Sequence, residues 1–400
     1  MDGSVDRRGF LKSLAAVTAA GVFDIVPTFA AGNDVSPAAL PRWRGFTLLD
    51  KSVTSGSDIA FREMDFAWIA EWGFNFVRVP LSYRCWSDPQ NWRQLREGAL
   101  KQIDQAVEFG RRYGIHVSLC FHRAPGHSAD HAAGEPLSLW TDAEALEACA
   151  YHWRHFAQRY RDVPNTAVSF NLLNEPAMKS SGELLDDLTY QRIVTALVAA
   201  IREESPARLI IADGLLWGSM PVPALAGLGI AQSAHTFDPI ELTHWKADWV
   251  AGSSNWPEPT WPLPVAPETV AGRRRQYEQQ RRVFANNPIM QRTLADLDPA
   301  KEWNRDRIQR QLIRPWQELR GMGVGVHFGG IGAYRYTPHD VTLRWMRDVL
   351  GFYRQAGFGW ATWDFRGPLG ILNSERADVG YDDFHGQKLD RAMLELLRAS

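Results

Sequence analysis

One short apolar run of the chain ends on two polar residues and a proline. The run, 168–173, is rich in residues that favour strands, and Asn174, Glu175 and Pro176 follow it. Proline lacks the backbone donor that a strand ladder needs, so the strand is expected to stop there. A glutamate at the C-terminal end of a rigid strand is well placed to act as a general acid or base. Taken alone, Asn-Glu-Pro is more often only a turn that closes a strand.

Other predicted strands end in the same polar way. Arg78, His122, His235 and Trp363 each stand at or near the C-terminal end of an apolar run. In a parallel α/β barrel these ends all meet at one face, which is the catalytic face. A single arginine or histidine would more often be an ion pair or a core side chain, but a barrel built for stability alone has no need of the whole set. The set therefore predicts an active site.

These residues must be positioned by an alternation of short strands and amphipathic helices that begins near residue 43. Eight strands are predicted, near 43–49, 76–79, 116–121, 166–171, 209–212, 230–235, 324–328 and 359–363. Eight such units make a (β/α)8 TIM barrel, an α/β fold in a single domain over residues 40–400. An open doubly wound sheet is disfavoured, because no glycine-rich phosphate loop follows the first strand.

A proline- and tryptophan-rich segment at about 238–300 fits neither the helix period nor the strand period well. We therefore predict a long loop insertion on one side of the cleft. About half of the tryptophans in predicted top-face loops are expected to be sugar platforms. These tryptophans are Trp86, Trp92, Trp140, Trp217, Trp245, Trp256 and Trp261.

Composition narrows the class of protein. A net charge of −2 shows no basic excess, so nucleic acid is not an expected partner. Cys85, Cys120 and Cys149 lack the paired spacing of a zinc site, and we expect no metal and no other cofactor. Beyond the N-terminus no apolar run reaches the roughly 18 residues of a membrane span. We expect a soluble monomer.

Residues 1–31 are predicted to be a twin-arginine export signal. Arg7 and Arg8 are followed by Phe10, by a weakly apolar alanine-rich run, and by small residues near Ala30 where cleavage is expected. The alternative is a short surface helix with chance arginines. Export would place the protein in the periplasm or outside the cell, without membrane attachment after cleavage.

The chain resembles glycoside hydrolase family 5, the cellulase-type retaining barrel glycosidases, over nearly all of the predicted mature sequence. The matching segments are Arg44-Gly45-Phe46, Gly73-Phe74-Asn75-Phe76-Val77-Arg78-Val79-Pro80, Phe121-His122-Arg123-Ala124-Pro125-Gly126, Leu173-Asn174-Glu175-Pro176, His235-Thr236-Phe237-Asp238-Pro239 and Trp360-Ala361-Thr362-Trp363-Asp364-Phe365-Arg366-Gly367. The order and spacing carry the resemblance, since Asn-Glu-Pro alone is weak evidence. The resemblance implies hydrolysis of O-glycosidic bonds in a β-linked polysaccharide or oligosaccharide.

The resemblance also implies a role for each site residue. Glu175 would be the acid/base and Asn174 would hold the 2-hydroxyl of the sugar. Arg78 and His122 would organise the carboxylates, His235 would line the site, and Trp363 would stack beneath the sugar next to the scissile bond.

The sequence departs from the family at the second catalytic carboxylate. A retaining glycosidase needs two carboxyl groups about 5–5.5 Å apart, one as acid/base and one as nucleophile. The family places the nucleophile at the end of strand seven, where this chain has Gly330. Phe237 stands where the family usually has a tyrosine that hydrogen-bonds the nucleophile. Because glycine has no side chain, residue 330 cannot attack the anomeric carbon.

Three functions remain open at this point. The first is hydrolysis with Glu175 as acid/base and either an inverting water path or a substitute carboxylate, for which Asp238, Asp340 and Asp364 are the candidates. The second is a catalytically inactive carbohydrate-binding protein on the same barrel. The third is transfer of a glycosyl group from an activated donor.

Overall fold

The computed structural model describes residues 35–52, 59–129 and 134–400, so the predicted export signal at 1–31 lies outside the described residues. Eight parallel strands form the centre of the fold. They are β1 (Arg44–Thr47), β2 (Phe76–Ser82), β3 (His116–Ala124), β5 (Val168–Asn171), β6 (Ile210–Asp213), β7 (Ala231–Thr236), β8 (Val326–Ile331) and β9 (Gly359–Thr362). β4 (His127–Ser128) turns back antiparallel on the end of β3, and β10 (Asp382–Phe384) pairs with β11 (Gln387–Leu389) in a separate hairpin.

The sheet closes on itself, because β1 pairs with β2 on one side and with β9 on the other. The remaining neighbours are paired in chain order from β2 round to β9, apart from the short β4. Closure leaves the barrel sheet without a free edge. The predicted (β/α)8 TIM barrel is therefore confirmed.

Helices surround the barrel and follow its strands. They are α1 (Glu63–Glu71), α2 (Glu97–Tyr113), α3 (Ala143–Arg159), α4 (Asp187–Glu204), α5 (Ile240–Thr243), α6 (Val270–Val283), α7 (Pro288–Ala295), α8 (Arg305–Ile308), α9 (Arg314–Gly321), α10 (His339–Ala356) and α11 (Arg391–Ala399). A π-helical turn, Gln309–Ile313, joins α8 to α9. None of the helices in the described part of the chain is long and apolar enough to cross a membrane.

The long helices form because one face of each is apolar at helical spacing. In α10, Val341, Trp345, Val349 and Tyr353 recur every four residues and are buried against the strands. The helix ends at Gly357, whose φ of +70° is the left-handed conformation that closes helices and that glycine adopts without a Cβ penalty. Packing of such helices against the barrel holds the ends of the strands in fixed positions.

The prediction of a long loop at 238–300 is wrong in one respect, because this segment contains the helices α5, α6 and α7. The sequence of α6 is too polar for periodicity to predict a helix. Gln280 is the one buried residue among its fourteen, so no apolar stripe repeats at helical spacing. α7 begins at Pro288 with the side chain of Asn287 accepting a hydrogen bond from the backbone N–H of Met290 at 3.0 Å. The insertion is therefore a helical wall.

Candidate active site

Glu175 lies four residues beyond the end of β5, at the C-terminal mouth of the barrel. Its φ of +52° is in the left-handed region that residues other than glycine rarely adopt. This conformation turns its backbone N–H toward Asp213 Oδ2, at 3.1 Å, and its carboxylate toward the ring of His235. The strained backbone thus directs the two functional groups of Glu175 to two different partners.

Asp213, the last residue of β6, is a site residue that the sequence reasoning missed. Its Oδ2 lies 3.1 Å from the guanidinium of Arg78, and its Oδ1 accepts a hydrogen bond from Asn171 Nδ2 at 2.8 Å. Predicting the strand to end at residue 212 left out the carboxylate that follows. A polar residue at a strand's C-terminal end was the signal that found the other site residues, and it would have found this one.

His235, near the end of β7, joins the two carboxylates. Its Nδ1–H donates to Glu175 Oε1 at 2.7 Å, and its Nε2 lies 3.2 Å from Asp213 Oδ2 as an ion pair short of hydrogen-bond geometry. The ring fits because Gly218 packs against it: a Cβ on that residue, whose φ is +79°, would lie 2.8 Å from His235 Cγ. The imidazole is therefore held between a buried and a partly exposed carboxylate.

The electrostatics of this group favour a charged pair. Burial acts to lower the pKa of His235, but the neighbouring charges of Asp213 and Glu175 outweigh it and raise the pKa above its usual value. Burial acts to raise the pKa of Glu175, and the hydrogen bond and charge of His235 outweigh it, so that pKa is lowered. Both shifts favour an imidazolium between two carboxylates.

Arg78 and Asn174 form the floor beside this group. Arg78 donates to Asn174 Oδ1 at 2.8 Å and to Asn171 Oδ1 at 3.0 Å, in addition to its ion pair with Asp213. The guanidinium therefore has an anionic partner although residue 330 supplies none. Asn174 Nδ2 has no hydrogen-bond partner within the described part of the chain, which leaves an amide N–H available to a ligand hydroxyl.

His122 and Trp363 form a stacked pair of rings at the same mouth of the barrel. Their rings stack with centroids 5.5 Å apart and an angle of 29° between the planes. Burial lowers the pKa of His122 to about 4, so the ring is neutral near pH 7. A half-buried tryptophan over a neutral imidazole offers an apolar face, which suits a sugar ring.

Gly330 lies directly across from His235 in the ladder between β7 and β8. A Cβ at this position would lie 3.1 Å from His235 Nδ1 and 3.2 Å from Phe237 Cε2, closer than carbon normally approaches either atom. The nearest atoms to that Cβ thus belong to two rings and not to a carboxylate. The approach is tight by a small margin, because a Cβ needs its neighbouring rings to give by only a few tenths of an ångström.

The proposed substitute carboxylates lie in three different environments. Asp340 is exposed and pairs with Arg344 one turn along α10. Asp364 is buried against Gly367 and Gly370, and burial raises its pKa to about 8. Asp238 lines a large cavity, where burial and the charge of Glu241 raise its pKa to about 6.

That cavity, of about 580 Å³, opens beside Glu175 and runs beneath the insertion. Glu175, His235 and Phe237 line it, whereas Arg78, His122 and Trp363 do not. The opposite wall comes from α6 and α7 and from the segment that follows them. The barrel mouth therefore has two surfaces, the cavity that Glu175 lines and the stacked rings of His122 and Trp363 outside it.

Fewer of the seven loop tryptophans are accessible as sugar platforms than the predicted half. Trp86, Trp92, Trp140, Trp245 and Trp261 are buried and belong to packing. Trp217 is exposed and lines the cavity together with Trp249, which the sequence reasoning did not single out. Within the described residues, no group of three His, Cys, Asp or Glu side chains is placed to hold a metal ion.

A closed (β/α)8 barrel with a glutamate, two histidines, an arginine and a tryptophan at its C-terminal mouth defines the class of barrel glycosidases. Residues 42–367 match the sequence model of cellulase, glycosyl hydrolase family 5. The match covers most of the chain, and the protein belongs to this family.

Relatives agree with this assignment. The chain is 24% identical to Endoglucanase C of Acetivibrio thermocellus over 333 residues, which is 81% of this chain and 90% of the relative. A solved structure of a glycoside hydrolase is 31% identical, covers 90% of this chain and 99% of its own, and superposes with a TM-score of 0.77. Cel5A of Thermotoga maritima in complex with cellobiose, at 19% identity over 89% of this chain and 97% of its own, shares the fold with a TM-score of 0.61.

Proposed function

We propose that the protein hydrolyses O-glycosidic bonds of β-linked glycans with Glu175 as its acid/base, and without a covalent intermediate on residue 330. The observation that carries this proposal is the hydrogen bond of 2.7 Å between His235 and Glu175, set against a glycine at residue 330. Endoglucanase C is named for cutting within glucan chains, and we infer a similar β-linked substrate here.

The His235–Glu175 pair holds the proton that the reaction needs. One proton is shared between the imidazole and the carboxylate, and Asp213 keeps it there by its charge. When the glycosidic C–O bond breaks, the proton passes through Glu175 to the leaving oxygen. Water adds to the anomeric carbon and returns a proton to the pair. Atoms and charge balance without any other reactant.

The lack of a carboxylate at residue 330 limits the rate. Removing a catalytic nucleophile commonly lowers turnover by up to about 10⁶-fold, because the covalent step is lost. Binding depends on stacking and on hydroxyl contacts, and these groups are still present. Turnover on unactivated polysaccharide is therefore expected to be slow, and faster on substrates with good leaving groups.

A non-hydrolytic glycan-binding protein is the second candidate. It is favoured by the two rings that crowd Gly330, since a site in use by a nucleophile or a small anion would need that space. It would keep the barrel and the aromatic surfaces and would lose turnover entirely.

The two candidates are separated by assaying β-1,4-glucan oligosaccharides and an aryl β-glycoside with wild type, Glu175→Gln and Gly330→Glu, with and without azide or formate. The hydrolase requires turnover by wild type that falls at least about 100-fold in Glu175→Gln. Equal turnover by the two proteins would contradict the role of Glu175. Oligosaccharide binding with no turnover in any variant or with either anion would establish the binding protein instead.

We also propose that the protein works outside the cytoplasm, after export through residues 1–31, as a monomer. The paired Arg7 and Arg8 ahead of an alanine-rich run support export. Fractionation of the native host with Arg7 and Arg8 changed to lysine tests it, since the exported form should then be lost.

A further inference from the structure

The helix α6 has a composition that packing against the barrel does not explain. Five arginines and one glutamate fall among its fourteen residues, and Gln280 is the one buried side chain. A helix that is polar all round either bridges to another body through solvent or is held by many charge pairs one turn apart. Within the described part of the chain, Glu278 forms no ion pair with an arginine of its own helix. The charges of α6 therefore do not stabilise the helix from within.

The inner face of α6 is the part of the helix that contacts the rest of the protein. Arg273 forms an ion pair with Glu241 there. The residues of α6 that line the cavity are Arg273, Gln276, Tyr277 and Gln280. At 3.6 residues per turn these four positions lie on one side of the helix. The other arginines consequently lie on the opposite side or at its edge.

The outer face of α6 is an exposed cationic surface. We call it the arginine face, and its basic residues are Arg274, Arg275, Arg281 and Arg282. Among the described residues no carboxylate pairs with them, and Arg281 donates instead to the backbone carbonyl of Leu294 at 2.6 Å. By contrast, the exposed arginines Arg161 and Arg292 each pair with a glutamate at 2.7 Å. Glu278 is the one acid of α6, so this face is positive in a chain whose net charge is −2.

The spacing of the arginines suits an anion that repeats along a chain. Arg275 and Arg282 are seven residues apart, which is nearly two turns and about 10 Å along the helix, so their side chains point the same way. A guanidinium can bind a carboxylate through two parallel hydrogen bonds. Like charges one turn apart repel one another, and a bound polyanion would relieve that repulsion. An extended polymer with carboxylates at regular intervals therefore matches the arginine face.

Acidic polysaccharide is the polyanion that the surroundings favour. A helix that lies on a membrane needs bulky apolar side chains beside its basic ones, and the arginine face has none. A nucleic-acid-binding domain usually carries a basic excess overall, which this chain lacks. The chain belongs to a glycosidase family, and α6 is the wall between the arginine face and the cavity that Glu175 lines. A glycan bound outside this wall would lie about one helix diameter, roughly 10 Å, from the cleft.

We propose that the arginine face binds a carboxylated polysaccharide along the outer side of the insertion, outside the cleft. The bound polymer anchors the protein and is not its substrate. The inference goes beyond the proposed function, because an anchor of this kind serves a hydrolase and a glycan-binding protein alike.

Polygalacturonate is the probe, and the same polymer with its carboxylates methyl-esterified is its neutral control. Calorimetry and affinity electrophoresis at low ionic strength should show binding to the acid form only. Binding should be lost in about 1 M salt, where the Debye length falls to about 3 Å. The triple variant Arg274→Gln, Arg275→Gln, Arg282→Gln should weaken binding about 10-fold, since each exposed ion pair contributes a factor of up to about five. Glutamine has the helix propensity of arginine, so α6 should still form.

The matched control removes the same charge elsewhere. Arg111→Gln, Arg112→Gln, Arg347→Gln changes exposed arginines of α2 and α10 and should bind polygalacturonate as wild type does. Glu278→Gln should act in the opposite direction and strengthen binding, because it removes the one acid of α6. Thermal unfolding of every variant checks that the fold is kept.

Three outcomes would overturn the proposal. The first is equal affinity of polygalacturonate for wild type and the arginine-face variant. The second is binding of wild type to phosphatidylglycerol vesicles or to double-stranded DNA as tightly as to polygalacturonate, which would mean that the face does not select a glycan. The third is displacement of the polymer by cellohexaose, which would place it in the cleft. None of these measurements depends on turnover, so they leave the role of Glu175 to its own test.

Discussion

The imidazole of His235 and the carboxylate of Glu175 are joined by a hydrogen bond of 2.7 Å, while the backbone of His235 lies opposite Gly330. In a retaining glycosidase the acid/base feels the negative charge of a nearby nucleophile, which favours its protonated form. Gly330 carries no charge, and the imidazolium of His235 lowers the pKa of Glu175 against the effects of burial and of the Asp213 charge. If Glu175 is the acid/base, as proposed, its proton belongs to the pair rather than to the glutamate alone.

Asp213→Asn should disrupt the His235–Glu175 pair by removing the carboxylate that supports His235. The substitution leaves Arg78 and His235 buried without their shared anion, and breaking such a buried pair costs about 3–5 kcal/mol of the free energy of unfolding. The pKa of His235 should fall, because Asp213 is a main cause of its elevation. Urea unfolding and an NMR titration of the ring measure the two effects.

The control for that variant is Asp340→Asn, which removes an exposed carboxylate paired with Arg344. Exposed pairs of this spacing contribute only about 0.3–0.5 kcal/mol. If the two variants were equally stable, or if the His235 ring titrated unchanged in Asp213→Asn, the buried network would not have the role assigned to it.

Gly330→Ala should be costly although alanine is small. The new methyl group would meet His235 Nδ1 at 3.1 Å and Phe237 Cε2 at 3.2 Å, so at least one ring must move. Overpacking of this kind costs up to about 1–3 kcal/mol, and a shift of His235 would lengthen its hydrogen bond to Glu175. Thermal unfolding and the pH profile of activity report the two losses.

Gly351→Ala is the matched control for the residue 330 variant. It lies inside α10, and its added Cβ would come no closer than 3.7 Å to Arg305. Replacing a mid-helix glycine by alanine should stabilise the protein by about 0.5–1 kcal/mol. Adding Phe237→Leu to Gly330→Ala should recover part of the loss, and strictly additive effects would mean that the ring is not the obstacle.

The barrel could be predicted from the sequence, and so could most residues at its mouth, because strand ends and apolar periodicity are local signals. Asp213 was missed through a one-residue error in a strand end, which periodicity cannot resolve. The helix α6 was missed because its apolar stripe is absent. The crowding of Gly330 depends on which way the rings of His235 and Phe237 turn, and packing decides that rather than spacing. The place of Trp249 in the cavity wall is likewise decided by packing and not by spacing along the sequence.

Two buried histidines at the other end of the barrel should make stability depend on pH. Burial lowers the pKa values of His116 and His327 to about 3, against about 6.5 in the unfolded chain. Because the folded values are depressed, their stabilising contribution is complete above pH 6.5 and is lost as pH falls toward 3. Each histidine should add about 1.4 kcal/mol per pH unit to the slope within that window.

Urea unfolding of wild type and His327→Leu between about pH 7 and about pH 5 checks the slope. Leucine preserves the apolar contact with Phe76, whose ring lies 4.4 Å from that of His327, and removes one titrating group. The slope of the variant should be smaller by the contribution of one proton. Parallel curves for the two proteins would mean that His327 does not stay neutral in the folded barrel.

Asn287 should control both the stability of the insertion and the shape of the cavity. Its Oδ1 caps α7, and its Nδ2 donates to the carbonyl of Pro221 at 2.9 Å and to Asp187 at 3.4 Å. Asn287→Ala loses the cap, worth about 0.5–2 kcal/mol, together with both tethers. Asn287→Asp keeps an acceptor for the cap but loses the donors. Since α7 supplies Met290 and Leu294 to the wall of the cavity that Glu175 lines, both variants should bind oligosaccharides more weakly than wild type, whereas Asn287→Ala alone should loosen α7 in hydrogen exchange. Unchanged affinity in both would show that the wall is held from elsewhere.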